Sequence, residues 1–248
     1  MKDLPSASHG SIGGRMSLVS LSPALHTMER VEKSGFSVAS FVIRLPSGGT
    51  LLHAPIWLGD SVANEVEKIG TPEILFAPNN FHHLSLAKWK ARFPNASVVA
   101  SDTARPRLMK QKRIVESKLV IASLDSVADK LPSDVHFLAC PGTKNGETFL
   151  SIPWEGGRAL VVCDAFFHVT RPTSGLVGMV LRALSVAPGL AISKTFMWVG
   201  VKDRAVYGKW LRETLAREAP KRLFFSHGSP YDVGSGDELT EVVARRFG

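Results

Sequence analysis

The sequence predicts an α/β protein with two sheets, each covered by helices on its outer face, which is a four-layer αββα sandwich. Helices and strands alternate between residues 36 and 112, short strands separated by turns follow between 119 and 163, and a strand and a helix end the chain. A chain of 248 residues is long enough for one large domain with a full core. We therefore predict a single domain over 16–248, after a tail, 1–15, whose Ser, Gly and His content is typical of disorder.

The first half of the chain predicts a hairpin and then alternating helices and strands. Strands are expected from residue 16, and 36–44 and 50–55 form a hairpin around the turn Pro46-Ser-Gly-Gly49. Asp60 is the predicted N-cap of a helix, 61–69, that Gly70 ends. Further elements follow in order: strand 74–77, helix 84–92, strand 96–100 and a basic helix, 104–112.

The second half predicts mainly strands, with helices near the end. The strands are 119–122, 135–139, 147–152, 158–163 and 221–227, and the most regular helices are 207–217 and 236–247. The most apolar region, 175–201, contains Arg182, Pro188 and Lys194, which excludes a spanning helix. We expect an ordinary buried helix and loop there, with a lid or a membrane-surface segment as the alternatives.

Charge and cysteine content limit the classes of partner and compartment. The net charge is +8, but the basic residues are scattered, as on solvated faces, so we expect no nucleic acid partner. Cys140 and Cys163 each follow an apolar run, which predicts buried free thiols in a reducing compartment. The start of the chain lacks the apolar core of a signal peptide, and we expect a cytoplasmic protein. A homo-oligomer is left open.

Polar side chains follow the apolar strands at four places. They are the turn after strand 74–77 with Asn79, Asn80, His82 and His83, the turn 141–146, the pair Asp164 and His168, and His227. In a sandwich these strand ends can meet at one edge. Histidine and carboxylate ligands suit zinc or iron, and a catalytic site keeps one position open for water. Taken singly, each of these side chains is equally suited to a structural hydrogen bond.

Three motifs resemble the metallo-β-lactamase superfamily over residues 37–248. They are Ala77-Pro-Asn-Asn-Phe-His-His-Leu84, the strand Val161-Val-Cys-Asp164, and Ser226-His227-Gly228. The first, followed by Trp89-Lys-Ala-Arg-Phe-Pro94, resembles a divergent bacterial group that keeps the fold but not the full metal motif. The family motif His-x-His-x-Asp-His then falls on Pro78, Asn80, His82 and His83, and the family's Pro-Gly-His turn ends here in Thr143.

The resemblance implies a degenerate site. The first metal position is empty, because Pro78, Asn80 and Thr143 stand where its histidines belong. The second retains His82, Asp164 and His227, with His83 as a further possible ligand, for one zinc or iron ion or for no metal. Asp164 and His82 are the expected catalytic residues. The expected supporting residues around the site, in contact with ligands or substrate, are His53, Asn80, Thr143 and His168.

Two functions follow from this reading. The first is a metal-dependent hydrolase of an ester, thioester, lactone or phosphoester, with the metal as Lewis acid. The alternative is a non-catalytic protein that binds a small molecule or a protein partner in the remaining cleft, between Trp57, Phe81, Phe167 and the region 175–201. Metal content distinguishes the two hypotheses.

Overall fold

A computed structural model describes residues 18–31, 37–170, 175–184, 186 and 188–248. The predicted tail, 1–15, lies outside these residues, so its disorder stays a prediction. Among the described residues, no helix combines the length and the apolar character needed to cross a bilayer.

The first sheet has seven strands whose spatial order is their chain order. Neighbours from β1 to β4 are antiparallel, and neighbours from β4 to β7 are parallel. The strands are β1 (Leu18–Ser22), β2 (Leu25–Val31), β3 (Ser37–Arg44), β4 (Thr50–His53), β5 (Pro72–Phe76), β6 (Ser97–Val99) and β7 (Ile121–Ala122). The helices between them are α1 (Asp60–Ile69), α2 (Leu86–Arg92), α3 (Arg105–Leu108) and α4 (Lys112–Glu116).

The second sheet has five strands in the order β14-β13-β10-β9-β8, in which β10 and β13 are parallel. Its strands are β8 (His136–Ala139), β9 (Thr148–Trp154), β10 (Gly157–Val162), β13 (Arg222–Phe225) and β14 (Tyr231–Asp232). A small antiparallel pair consists of β11 (Phe167–Val169) and β12 (Gly189–Ala191). The helices are a 3₁₀ helix (Leu124–Lys130), α5 (Gly175–Ala183), α6 (Lys194–Val199), α7 (Arg204–Glu218) and α8 (Asp237–Phe247).

Three buried apolar clusters lie between the layers. The first packs β-strand residues such as Leu52 and Leu75 against α1 and α2, and the second joins the two sheets, with Phe76 and Phe224 in it. The third packs β10 and β13 against α7 and α8 around Tyr207. One cluster thus lies between the two sheets, and one lies between each sheet and the helices on its outer face, so both faces of each sheet are buried. The predicted four-layer sandwich is confirmed.

Several predicted elements differ in detail. Helix α1 begins at Asp60 itself and its N-cap is Gly59, so the predicted cap at Asp60 is wrong. The predicted basic helix, 104–112, is broken into α3 and α4 because Gln111 has extended backbone angles (φ −68°, ψ 130°). The expected buried helix and loop in 175–201 is buried only in part, since Phe196 and Met197 are buried whereas Met179 and Trp198 are exposed.

Candidate metal centre

The centre is built where three strands end. His82 lies in the turn between β5 and α2, Asp164 follows β10, and His227 follows β13. Because β10 and β13 are parallel neighbours, their carboxyl ends meet at the same edge of the sheet. The backbone N–H of Ala39 donates to the carbonyl of Ser226 at 2.8 Å, which ties this edge to the first sheet. The fold therefore brings together residues that are 145 positions apart in the chain.

The three side chains place their donor atoms in a nearly equilateral triangle. Asp164 Oδ1 lies 3.5 Å from His82 Nε2 and 3.2 Å from His227 Nε2, and the two Nε2 atoms are 3.3 Å apart. Four ligands arranged tetrahedrally about zinc at about 2.0–2.1 Å are themselves about 3.3–3.4 Å apart. The thiol of Cys163 lies nearby, since one ligand atom from each of the four residues lies within 4.8 Å of the others. This donor set fits one metal ion.

The charged groups of the cluster act strongly on one another. Burial alone would raise the pKa of the Asp164 carboxyl, but attraction to His82 and hydrogen bonds from His227 and His82 outweigh it and hold this pKa well below its ordinary value. Burial is the largest single effect on His82 and favours its neutral form, but the attraction of Asp164, the hydrogen bond to Asp164 and the attraction of Glu147 together outweigh it and raise the pKa of His82. Asp164 is therefore ionised at neutral pH, as a ligand must be.

Glu147, a residue that the sequence reasoning missed, lies fully buried behind the cluster. Its Oε1 accepts hydrogen bonds from the backbone N–H groups of Cys163, Asp164 and Ala165 at 3.2, 2.8 and 3.2 Å. Burial, followed by repulsion from Asp164, raises the pKa of Glu147 to about 7. Because Glu147 fixes the backbone on both sides of Asp164, it sets the position of that carboxylate.

Asn79 connects Glu147 to the cluster. Its Nδ2 donates to Glu147 Oε2 and to Asp164 Oδ2, both at 2.7 Å, and its Oδ1 accepts from the backbone N–H of Phe81 at 2.8 Å. Asn145 Nδ2 adds a second donor to Glu147 Oε2 at 3.2 Å. The amide of Asn79 thus holds the carboxylate of Asp164 on the side away from the histidines.

The other predicted site residues lie outside the triangle. His83 Nδ1 lies 3.1 Å from the carbonyl of Asn80, and His168 Nδ1 lies 3.0 Å from that of Ser229. Thr143 donates its hydroxyl to the carbonyl of Cys140 at 2.8 Å. The structure therefore gives His83, Thr143 and His168 backbone partners and leaves them out of the donor group.

Two of the expected supporting residues have buried polar atoms without a partner. His53 is fully buried between the rings of Phe41 and Phe76, and neither of its ring nitrogens has a hydrogen-bond partner. Burial, followed by repulsion from His82, lowers the pKa of His53 to about 3. Asn80 Oδ1 is also unpartnered, while its backbone N–H donates to Asn145 at 3.0 Å.

A cavity of about 430 Å³ opens onto the cluster. His82, Asp164 and His227 form its polar end, and the remaining wall is formed by Phe81, Phe167, Val186, Ser193, Thr195, Phe196 and Val199. The ring of Phe167 stacks on that of His227 at 5.7 Å. Trp57, which was expected in the cleft, packs instead on Trp89 in the outer helical layer, at 5.2 Å between ring centroids. The cavity is therefore mainly apolar, with its donors at one end.

Gly228 is required directly after His227. Its φ is +116°, and a Cβ at this position would lie 2.3 Å from the carbonyl oxygen of His168. We expect Gly228→Ala to lower the free energy of unfolding by about 2–4 kcal/mol in urea titrations, because the backbone must move to make room for the new Cβ. Gly48→Ala is the control, since Gly48 has φ +86° but open space around it, and should cost about 1 kcal/mol. Equal losses in both variants would contradict the steric argument.

No family model matches the chain, and no curated protein matches it. Several solved structures match the chain. A metallo-β-lactamase from Erythrobacter litoralis matches with a TM-score of 0.59 and 10% identity, over 94% of this chain and 99% of that one. The metallo-β-lactamase FIM-1 from Pseudomonas aeruginosa, in its mono-zinc form, matches with a TM-score of 0.55 and 10% identity, over 92% and 93% of the two chains.

A flavodiiron protein matches as well. The flavodiiron core of Flv1 from Synechocystis has a TM-score of 0.59 and 12% identity, and the match covers 93% of this chain and 60% of that chain. Similarity at these identities establishes the architecture alone. The chain has the metallo-β-lactamase fold, which confirms the resemblance seen in its sequence motifs.

Proposed function

We propose that this chain of the metallo-β-lactamase fold is a hydrolase that depends on one bound metal ion, zinc or iron. The observation that carries the proposal is the triangle of donor atoms from His82, Asp164 and His227, with edges of 3.2–3.5 Å. Two imidazoles and one carboxylate are the ligands of many catalytic zinc sites and of non-haem iron sites. A metal held there supplies Lewis acidity and activates water.

The residues present support one metal ion rather than two. Within the described part of the chain, His82, Cys163, Asp164 and His227 form the one converging group of three or more possible ligands. At the positions of the family's first metal, Pro78 has no donor atom in its side chain and Thr143 donates its hydroxyl to a backbone carbonyl. Cys163 belongs to the same group, and its thiol pKa is raised by burial and then by Asp164. We therefore assign it no essential role in metal binding.

The cavity indicates the class of substrate. Among the residues that the structure describes, no Lys or Arg lines it, and its wall is formed largely by aromatic and aliphatic side chains such as Phe81, Phe167 and Phe196. Apart from the proposed metal ion, an anionic substrate such as a phosphoester would find no Lys or Arg side chain to pair with among the described lining residues. We propose a neutral, apolar ester, thioester or lactone, whose carbonyl faces the polar end while its apolar part contacts the aromatic wall.

A second candidate function rests on the same cavity. The apolar wall and the missing ligands at Pro78 and Thr143 also suit a non-catalytic protein that binds an apolar small molecule. In that case the histidines and Asp164 serve as a hydrogen-bonded ion pair without a metal. The two candidates differ in metal content.

Elemental analysis of the protein purified without chelator tests the proposal. We expect about one zinc or iron per chain in the wild type and less than about a tenth of that in His227→Ala and Asp164→Ala, because loss of one ligand of three weakens metal affinity severely. His83→Ala is the matched control. It removes a neighbouring histidine that faces the carbonyl of Asn80, and it should keep the metal.

The substrate class is tested with the metal-loaded protein on nitrophenyl butyrate, nitrophenyl octanoate and bis-nitrophenyl phosphate. We expect hydrolysis of the carboxylic esters to exceed that of the phosphodiester. A wild-type protein that contains no metal after incubation with zinc would overturn the hydrolase proposal and leave apolar ligand binding as the function. Metal loss in His83→Ala alone would show that the assigned ligand set is wrong.

A further inference from the structure

The surface formed by α5 and α6 exposes large apolar side chains. Trp198 is 83% exposed and Met179 is 59% exposed. Val180, Leu184 and Val199 are also exposed, and Val180 and Leu184 lie one turn apart, joined by a backbone hydrogen bond of 3.0 Å. Isolated exposed apolar residues are ordinary, but several on two linked helices, with Leu184 and Trp198 lining one cavity, are typical of an interaction surface. The two helices are held together, because the Lys194 N–H donates to the carbonyl of Leu184 at 2.9 Å.

Basic side chains line two cavities beside these apolar residues. One cavity of about 400 Å³ is lined by Leu184 and Trp198 together with Lys194, Arg204, Arg245 and Arg246. An adjoining cavity is lined by Arg182 and again by Arg245 and Arg246. Burial, followed by repulsion from Arg204 and Arg245, lowers the pKa of Arg246, which shows how closely these cations are gathered. The carboxylate of Glu241, 3.1 Å from Arg245, offsets part of this charge.

The sequence of this region is also basic. No Asp or Glu occurs between Asp164 and Asp203, although Arg171, Arg182, Lys194 and Lys202 do. An amphipathic surface with apolar side chains, a tryptophan and flanking cations is typical of segments that lie in the interface of an anionic bilayer. Arginine and lysine can keep their charge among the headgroups while tryptophan enters the boundary with the acyl chains.

We propose that the α5–α6 surface, defined by Met179, Val180, Leu184, Trp198 and Val199 with its surrounding cations, docks on an anionic membrane surface. A second copy of the chain is a poor occupant, because a two-fold contact would place the arginines of one copy against those of the other. A bilayer supplies anionic groups and apolar chains together and adapts to side chains on separate elements. Thr195 lines both the cavity at the metal centre and the basic cavity, so the docked surface adjoins the mouth of the centre.

Sedimentation of the full chain with lipid vesicles tests the proposal. We expect binding to vesicles of phosphatidylcholine with about 30 mol % phosphatidylglycerol at about 50 mM salt, and at least about tenfold weaker binding to phosphatidylcholine alone. Trp198→Ser and Arg204→Glu should each weaken binding by about fivefold or more. Val120→Ser is the control, because Val120 is 82% exposed on a different part of the surface and its replacement should change nothing.

Tryptophan fluorescence gives a second readout. Vesicle binding should shift the emission to shorter wavelength, and Trp198→Phe should abolish the shift, since Trp198 is the highly exposed tryptophan among those described. Absence of binding at low salt, or equal binding to both vesicle types, would overturn the proposal. Binding to polyglutamate without binding to vesicles would assign the surface to an acidic protein. A dimer that Trp198→Ser dissociates, again without vesicle binding, would assign it to self-association.

Discussion

Replacement of Glu147 by alanine is expected to lower the free energy of unfolding by about 3–5 kcal/mol. The carboxylate is fully buried and accepts three backbone N–H groups at 2.8–3.2 Å and two side-chain amides at 2.7 and 3.2 Å. Alanine leaves these donors buried without an acceptor and also creates a cavity. Urea titration in the presence of a chelator measures the loss without a contribution from bound metal.

Glu147→Gln separates the effect of lost hydrogen bonds from that of lost side-chain volume, because glutamine has nearly the same volume as glutamate. The amide oxygen can still accept the backbone N–H groups, whereas the new NH₂ group would face Nδ2 of Asn79 and Asn145, so we expect a loss of about 1–3 kcal/mol. Glu116→Ala is the control, since Glu116 is exposed and pairs with Lys112 at 3.8 Å, and it should change stability by at most about 0.5 kcal/mol. A loss in Glu147→Ala as small as in Glu116→Ala would show that Glu147 does not hold the loop.

Protonation of His53 is expected to make the protein less stable in acid. The pKa of this buried histidine is about 3 in the folded chain and 6.5 in its unperturbed state, so the unfolded chain binds the extra proton first as the pH falls. The stabilisation of the folded chain that comes from neutral His53 is therefore complete above pH 6.5 and declines towards pH 3. When the pH falls from 7.5 to 5, His53 lowers the free energy of unfolding by about 2 kcal/mol, since one pKa unit corresponds to about 1.4 kcal/mol.

The measurement compares unfolding free energies at pH 7.5 and pH 5 in the wild type and in His53→Leu. The difference between the two pH values should be about 2 kcal/mol larger in the wild type, because leucine does not titrate. His82 contributes equally to both proteins and cancels in the comparison. His53→Gln is the second variant, in case leucine packs poorly against Phe41 and Phe76. An unchanged pH dependence in both variants would show that His53 is not the group responsible.

The layered fold and the main elements were predictable because they depend on local patterns. The hairpin of β3 and β4, the helix ended by Gly70 and the apolar strand before Asn79 each follow from periodicity and turn residues. The pairing of β7 with β6 was not predictable, since two-residue strands have no period of their own. The small sheet of β11 and β12 was missed for the same reason, as its strands have three residues each.

The site was predictable only in part. His82, Asp164 and His227 stand at strand ends that a known motif marks, and the fold brings them together. Glu147 gave a weaker signal, a carboxylate at the start of an apolar strand, and its partners are backbone groups that no sequence pattern displays. Whether a histidine faces a carbonyl or a neighbouring side chain, as for His83 and His82, depends on side-chain rotation rather than on residue type.

The strand order of the first sheet divides the molecule at about residue 130. All seven of its strands come from the chain before that point, in sequential order, and all five strands of the second sheet come after it. Each half can therefore form its own sheet from neighbouring segments during synthesis, with short contact distances along the chain. His82 belongs to the first half, whereas Asp164 and His227 belong to the second. The three donor atoms therefore come together only when the two halves associate. Two fragments divided near residue 130 and expressed separately would form the triangle only when they are mixed and bind each other.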